Sequence, residues 1–354
     1  MEERPMVTSL GEPGDSASVD PEQRLGNPSV ISRLVRAPEF GAAAAAILIY
    51  GFFSITSSGR LLTLDATAGW LDTAAYLGII AVPVGMLMIA GEFDLSIGSM
   101  VGAGSISVGV IAGALNQPLP LAVGFAFLFA IAIGVCNGLL VTRTGLPSFI
   151  VTLGTNLVVA ALALTLSRQL ANTTTITVYT SGLLSQLFSS QWKSFGISIL
   201  WWVLILVIAA WVLRYTRFGN WILATGGDAE RARRAGVMTS RVKIILFVCT
   251  ALAATLVGVS QAVQYNTGDA VGGQGYVFQA PIVVVIGGVL LTGGYGTMLG
   301  VALGTAIYGV ADAGLFYTGW NTDWAQGVTG SLLILTVLTN NTLRRLAVSA
   351  LKPE

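Results

Sequence analysis

Residues 70–115 read WLDTAAYLGIIAVPVGMLMIAGEFDLSIGSMVGAGSISVGVIAGAL. Two apolar stretches, 70–91 and 97–115, flank one short polar turn that holds Glu92 and Asp94. Each stretch is near the roughly 20 residues a helix needs to cross a bilayer. Every backbone polar group of a crossing segment must be satisfied within the protein, which leaves the helix as the form for such runs.

The same pattern repeats outward from this pair. Apolar segments fall near 40–57, 70–91, 97–115, 119–141, 147–167, 195–213, 243–264, 277–292, 296–317 and 324–340. They predict an all-α polytopic membrane protein of about ten transmembrane helices. Composition agrees: 54% of residues are hydrophobic and 10% charged, against roughly 25% charged in a soluble domain. The 43 glycines suit a protein whose helices associate by close packing in lipid. Residues 1–36, rich in Glu, Pro, Gly, Ser and Arg, read as a disordered cytoplasmic tail. Residues 37–342 form the membrane domain and 343–354 a cytoplasmic C-terminal tail. A cleaved signal peptide is the competing reading of the first apolar run, which begins about forty residues in, later than such peptides do.

Basic residues orient the spans. With the N-terminus inside, Arg4, Arg24, Arg33, Arg36, Arg143, Arg214, Arg217, Arg231, Arg233, Arg234, Arg241, Lys243, Arg344, Arg345 and Lys352 are cytoplasmic, and only Arg60, Arg168 and Lys193 lie outside. Both termini are then cytoplasmic. Gly134-Val-Cys-Asn-Gly-Leu139 in the fourth segment is echoed by Gly309-Val-Ala-Asp-Ala-Gly-Leu315 in the ninth, with Thr152 and Thr329 following at nearly equal distances. Two halves of five crossings, about 37–168 and 195–342, would be inverted relative to one another. Chance recurrence of such strings in glycine-rich helices is the plainer alternative.

The residues that are missing exclude several functions. The chain has no histidine, so Ser-His-Asp triads and His-ligated zinc sites are excluded. Its lysines, Lys193, Lys243 and Lys352, do not follow glycine, so no Gly-Lys-Ser/Thr phosphate loop is present. Cys136 and Cys249 lie inside apolar runs and suggest no disulfide framework. A net charge of +1 suggests no nucleic-acid partner, and the chain reads as non-enzymatic.

Between the sixth and seventh segments, within 214–243, the sequence breaks at Gly226-Gly227 and continues Asp228-Ala-Glu-Arg-Ala-Arg-Arg-Ala-Gly236. Asp228 is a good N-cap, Glu230 suits the positive end of a helix dipole, and Gly236 supplies a stop. The result is a two-turn helix over Asp228–Ala235, too short to be stable without a docking surface. A basic loop that merely fixes topology is the alternative.

This loop, with Gly-Gly-Asp before Glu230-x-Ala232-x-x-Ala235-Gly236, resembles the coupling-helix loop of permease subunits of ribose/xylose/galactose-type ABC importers. Gly91-Glu-Phe-Asp-Leu-Ser-Ile-Gly-Ser99 is similar to that family's signature after the second span. So are Asn137-Gly-Leu-Leu-Val-Thr-Arg143 with Leu146-Pro-Ser-Phe-Ile-Val-Thr-Leu-Gly-Thr155, and so are Gly273-Gln-Gly-Tyr276, Val285-Ile-Gly-Gly288 and Thr292-Gly-Gly-Tyr-Gly-Thr297. Asp228 stands where asparagine is common, and Glu92 and Phe93 replace smaller or apolar residues. The resemblance covers about residues 70–340. It implies a permease that works as a homodimer or with a sister permease, beside a cytoplasmic ATP-binding cassette subunit and an external solute-binding protein, in the bacterial inner membrane. ATP and Mg would be used by the ATPase, with no cofactor bound by this chain. Asp228, Glu230, Ala232, Ala235 and Gly236 would form the element coupled to that ATPase.

Polar and aromatic groups in and between the spans are the candidate solute path: Asp94, Ser96, Asn137, Phe149, Thr152, Asn156 and Gln279, with Gln261, Gln264 and Phe278 beside them. A buried amide must find a partner, either a polyhydroxylated solute or another helix. Asp312 and Asp323 meet a binding protein or solvate a turn. The glycines at 98, 102, 296, 300 and 304 read as packing seams. The leading function is a monosaccharide importer permease. The contrasting one is a stand-alone ion-coupled carrier, which would place acidic residues deep in its spans. Permeases for nucleosides or branched-chain amino acids are the nearer alternatives.

Overall fold

The computed structural model describes residues 38–321 and, from there to 334, residues 323, 324, 327, 328, 330, 331, 333 and 334. Both proposed tails, Thr329 and most of the tenth segment lie outside the described residues. Among the described residues, eight helices are long and apolar enough to cross a membrane. They are α1 (Pro38–Thr56), α2 (Leu64–Ile89), α3 (Ile97–Val108, extended by a π-helical turn to Ala114), α4 (Leu119–Thr144), α5 (Ser148–Ala171), α7 (Ser198–Tyr215), α10 (Thr239–Gln264) and α12 (Met298–Thr318).

Shorter elements join them. β1 (Thr175–Thr177), α6 (Leu183–Ser189) and the hairpin β2 (Gln191–Trp192) and β3 (Phe195–Gly196) occupy the Thr/Ser-rich stretch before α7. α8 (Arg217–Gly227) and α9 (Ala229–Arg234) fill the loop before α10. β4 (Thr267–Asp269) and α11 (Tyr276–Ile286) precede α12.

The eighth predicted span departs from expectation. Only Tyr276–Ile286 is helical, 11 residues, or about 16 Å at 1.5 Å per residue. That is about half the hydrocarbon thickness. The cause is local: Gly288, Gly293 and Gly294 adopt left-handed φ values of 89°, 78° and 79°, which no helix continues through. The chain instead makes a tight turn closed by Leu290 N–H to Tyr295 C=O at 3.2 Å. The amide of Gly294 then donates to the Ile89 carbonyl at 2.8 Å, at the end of α2. Irregular backbone at membrane depth is tolerated where protein covers it, and α2, α8 and α12 do so here.

The two faces are defined by these connections. β1 pairs antiparallel with β4, so α5 and α10 end on one face. The Ser194 hydroxyl donates to Asp65 at 2.6 Å, which puts the start of α2 on that face too. Arg60, Arg168 and Lys193 lie there. The opposite face carries Arg143 and the cluster from Arg214 to Lys243.

The centre of the bundle is α2, α3 and α10, with 89%, 78% and 61% of their spanning windows buried, against 11% for α1 and 22% for α7. Large apolar side chains on the peripheral helices, such as Ile55, Leu128, Leu157 and Leu200, are exposed. Such a ring of apolar surface is what lipid requires and water disfavours. The glycine seams pack as expected. A Cβ on Gly300 or Gly304 would lie 2.0 Å from the carbonyl oxygen of Gly287 or Val283, so α12 rests backbone to backbone on α11.

Candidate functional site

The turn between α2 and α3 begins at Gly91, whose φ is 86°. It then carries Asp94 into the protein, where that side chain is 1% exposed. One carboxylate oxygen accepts from the Ser96 amide at 2.9 Å and its hydroxyl at 2.6 Å; the other accepts from Thr250 of α10 at 2.5 Å. Asn137 of α4 donates to the Ser96 hydroxyl at 3.0 Å and accepts from Thr155 of α5 at 2.7 Å. Turn amides are held in order along α5: Phe93 donates to the Ser148 hydroxyl, Leu95 to that of Thr152, and Ser99 to the Asn156 side chain, each at 3.0 Å. The spacing of 148, 152 and 156 is one helical turn per step, so one face of α5 reads the turn like a comb. Glu92 of the same turn makes an ion pair with Lys243 at the start of α10.

Five of the predicted path residues, Asp94, Ser96, Asn137, Thr152 and Asn156, therefore meet in one network. Ser148, Thr155 and Thr250 complete it and are not evident from sequence, because hydroxyls on two helices distant in the chain carry no local signal. Phe149 does not join; it lies on the half-exposed side of α5, and Phe278 is likewise exposed on α11. Asp312 is half-buried on α12 and Asp323 is exposed.

On the basic face, Thr216 caps α8 by accepting from the Gly219 amide at 3.1 Å. Asp228 caps α9 by accepting from the Glu230 and Arg231 amides, both at 3.0 Å. The Arg231 amide above all, then the Arg231 charge, the Glu230 amide and the Arg234 charge, hold the Asp228 carboxyl below its ordinary range against desolvation. At the other end of α9, Gly236 has φ 87°, and the Val237 amide returns to the Ala232 carbonyl at 3.0 Å. This is the left-handed stop that glycine permits. Ala232 is buried, while Glu230, Arg231, Arg233, Arg234, Ala235 and Gly236 face outward. The base of this loop touches the bundle at a glycine junction. A Cβ on Gly226 would fall 1.7 Å from the Ile89 carbonyl oxygen and 2.6 Å from the Gly294 amide. The loop thus abuts the end of α2 and the broken segment after α11 through Gly226 and Gly227.

Gln279 belongs to a third place. Near the face that carries Lys193, a cavity of about 190 Å³ is lined by Asp72, Thr73, Tyr76 and Leu77 of α2, Gln261 of α10 and Tyr265 at its C-terminal end, Tyr276 and Gln279 of α11, and Tyr308 of α12. Gln261 donates to the Tyr276 hydroxyl at 2.9 Å, and Ser198 of α7 donates to Asp72. The hydroxyl of Tyr76, a residue 3% exposed, has no partner. Sequence reading reaches Gln261 and Gln279 but misses the tyrosines. The available signal was four tyrosines placed toward the same face of the bundle.

The family described as "Branched-chain amino acid transport system / permease component" matches residues 66–337. The autoinducer 2 import system permease protein LsrC of Yersinia pseudotuberculosis is 32% identical over 303 residues, covering 80% of this chain and 83% of that one. The fructose import permease protein FrcC of Rhizobium meliloti is 28% identical, covering 83% of each. The ribose import permease protein RbsC of Escherichia coli K12 is 27% identical, covering 84% of this chain and 92% of its own. No solved structure matches.

Proposed function

The chain belongs to the branched-chain amino acid transport system / permease component family, and from that premise we propose that it is the membrane-spanning permease of an ABC importer for a monosaccharide or related polyol. It works in the bacterial inner membrane beside a separate ATPase, which uses ATP and Mg, and an external binding protein. The basic face is cytoplasmic, and the permease pairs with a second copy or a sister chain.

The observation that carries this reading is the loop of α8 and α9. It is a capped, outward-facing helix whose base meets the end of α2 and the irregular segment after α11 at Gly226. A rigid lever seated on two discontinuous elements suits a two-state gate driven from outside the membrane. Ten crossings with both termini cytoplasmic fit the distribution of basic residues. Two inverted halves are supported by crossed packing. A Cβ on Gly134 of α4 would lie 2.6 Å from the Val248 Cα of α10, and one on Gly309 of α12 would lie 2.4 Å from the Trp70 carbonyl of α2. The fourth span of each half thus leans on the second span of the other, with the echoed glycine at both contacts.

Uptake of ribose or fructose into proteoliposomes holding this chain, its ATPase and its binding protein tests the reading. ATP-dependent uptake is expected, abolished by Gly236→Trp and retained by Gly236→Asn. Asparagine tolerates the left-handed backbone and the space around Gly236 is open; because tryptophan strains φ 87°, equal folded yield of the two variants is required before lost uptake is assigned to an obstructed ATPase. Uptake by this chain alone under an ion gradient would establish a carrier instead.

A further inference from the structure

We propose that the tyrosine-lined cavity between α2, α10, α11 and α12 is a solute-binding site of the permease itself, one that selects an uncharged polyol through the Tyr76 hydroxyl, Gln279 and Asp72. The inference rests on the importer reading for its physiological solute but not for its geometry.

Tyr76 is the first observation. A buried hydroxyl without a partner is costly, and the great majority of buried polar groups have one. Tyr76 lines an open cavity although its hydroxyl is itself sealed from water, so a solute that packs against the ring and shifts it slightly gives that hydroxyl the partner solvent does not. The neighbouring groups are of the same kind. Gln261 spends a donor on Tyr276, which leaves its carbonyl for a ligand, and the Gln279 amide offers both donor and acceptor. The rings of Tyr76, Tyr265, Tyr276 and Tyr308 supply amphipathic walls, apolar in body and polar at one end.

The charges decide the class of ligand. The lining holds a carboxyl group, Asp72, and no lysine or arginine. A solute carrying a carboxylate or phosphate would enter opposite an acid with no cation to pair it, a strongly unfavourable placement at low dielectric. A branched-chain amino acid faces the same objection through its carboxylate. An amine would pair with Asp72 and the ring faces. However, Asp72 already accepts from Ser198, and the orphan hydroxyl and two amides ask for hydrogen-bonding partners rather than a cation. A neutral polyol satisfies all of them.

The position gives the site its place in the transport path. Tyr76 lies 13 residues before the end of α2, about 20 Å along the helix from the buried turn that holds Asp94. The solute therefore rests on the far side of the bundle, with the closed network beneath it. Ser198, the partner of Asp72, begins α7, which runs without interruption to Thr216 and the cap of α8. One continuous helix joins the cavity wall to the coupling loop.

Two measurements on the assembled permease–ATPase complex test this. In the first, ribose or fructose taken up per ATP hydrolysed is read at saturating loaded binding protein, so that external capture does not limit. Tyr76→Phe should lower that ratio about three- to tenfold, the loss of one hydrogen bond, and Gln279→Ala should lower it in the same direction. An unchanged ratio in both variants overturns the proposal. In the second, thermal unfolding of the complex in nanodiscs is followed with millimolar ribose, fructose, gluconate or glucosamine. A neutral sugar should raise the Tm of the wild type but not of Tyr76→Phe, and gluconate should not raise it. A larger shift with glucosamine than with either neutral sugar overturns the assignment in favour of a cation cage, and an equal shift with gluconate overturns the exclusion of anions. Absence of ATP-driven uptake by the wild type sinks the importer reading, while the thermal arm still decides the site.

Discussion

Two polar clusters sit in this membrane protein, and they are built on opposite terms. Around Asp94 each carboxylate oxygen has a donor, and the Asn137 side chain both donates and accepts. Around Tyr76 the cavity is open, the Tyr76 hydroxyl is unpartnered, and Gln261 and Gln279 line the space. A closed network in low dielectric stiffens what it joins, and here it joins α3, α4, α5 and α10 to one turn. An open one has capacity left for something that arrives and leaves. The difference teaches that a polar residue inside a membrane span is not thereby part of a path; its degree of satisfaction separates scaffold from contact.

The contrast is broken most severely at its centre. Asp94→Ala strands the Ser96 amide and hydroxyl and the Thr250 hydroxyl, at about 1–3 kcal/mol per buried group. The variant should fail to accumulate as folded protein, which size-exclusion chromatography of the detergent extract reads directly. A monodisperse, full-yield Asp94→Ala would remove the scaffold role of the network. Lys243→Met leaves Glu92 unpaired where the two side chains are only 20% and 12% exposed. A loss of about 3 kcal/mol is expected, and adding Glu92→Gln should recover part of it. Additive single and double variants in thermal unfolding would mean the pair contributes nothing.

Gly226→Ala sharpens the comparison from the basic face. Its methyl group would overlap the Ile89 carbonyl oxygen, so backbone must shift, at about 3 kcal/mol, the upper end of ordinary overpacking. The protein should fold and its ATPase should still turn over, but uptake should fall; intact uptake would show that the junction transmits nothing. The smallest effect belongs to the cavity. Tyr76→Phe should leave the Tm of solute-free protein unchanged or raise it by less than about 1 kcal/mol equivalent, because no internal bond is lost. A clear destabilisation would mean the hydroxyl has a partner in the protein, and the contrast would vanish.

Much of the architecture was legible because the bilayer imposes a length. Segments such as 119–141 and 243–264 announce α4 and α10 by their apolar runs alone, and Asp228 and Gly236 mark the ends of α9 by cap chemistry that acts within a few residues. The eighth segment misled, since 277–292 is apolar enough to span but breaks after Ile286. Hydropathy registers the transfer of side chains into lipid, whereas the break depends on glycines at positive φ held by α2 and α8. The network was half legible. Asp94, Asn137, Thr152 and Asn156 stand out as polar residues in apolar surroundings, but nothing in the sequence says that they satisfy each other.

By itself the sequence determined that the chain lives in lipid, where most of its crossings lie, which face is basic, and that a short capped helix projects from that face. Those properties follow from local terms: transfer free energy summed over about 20 residues, capping, and net charge on loops. Only the tertiary structure decided which polar groups are spent and which are available. Hydrogen bonds between residues 41 to 156 positions apart depend on which helix faces meet, and that is fixed by the packing of the whole bundle.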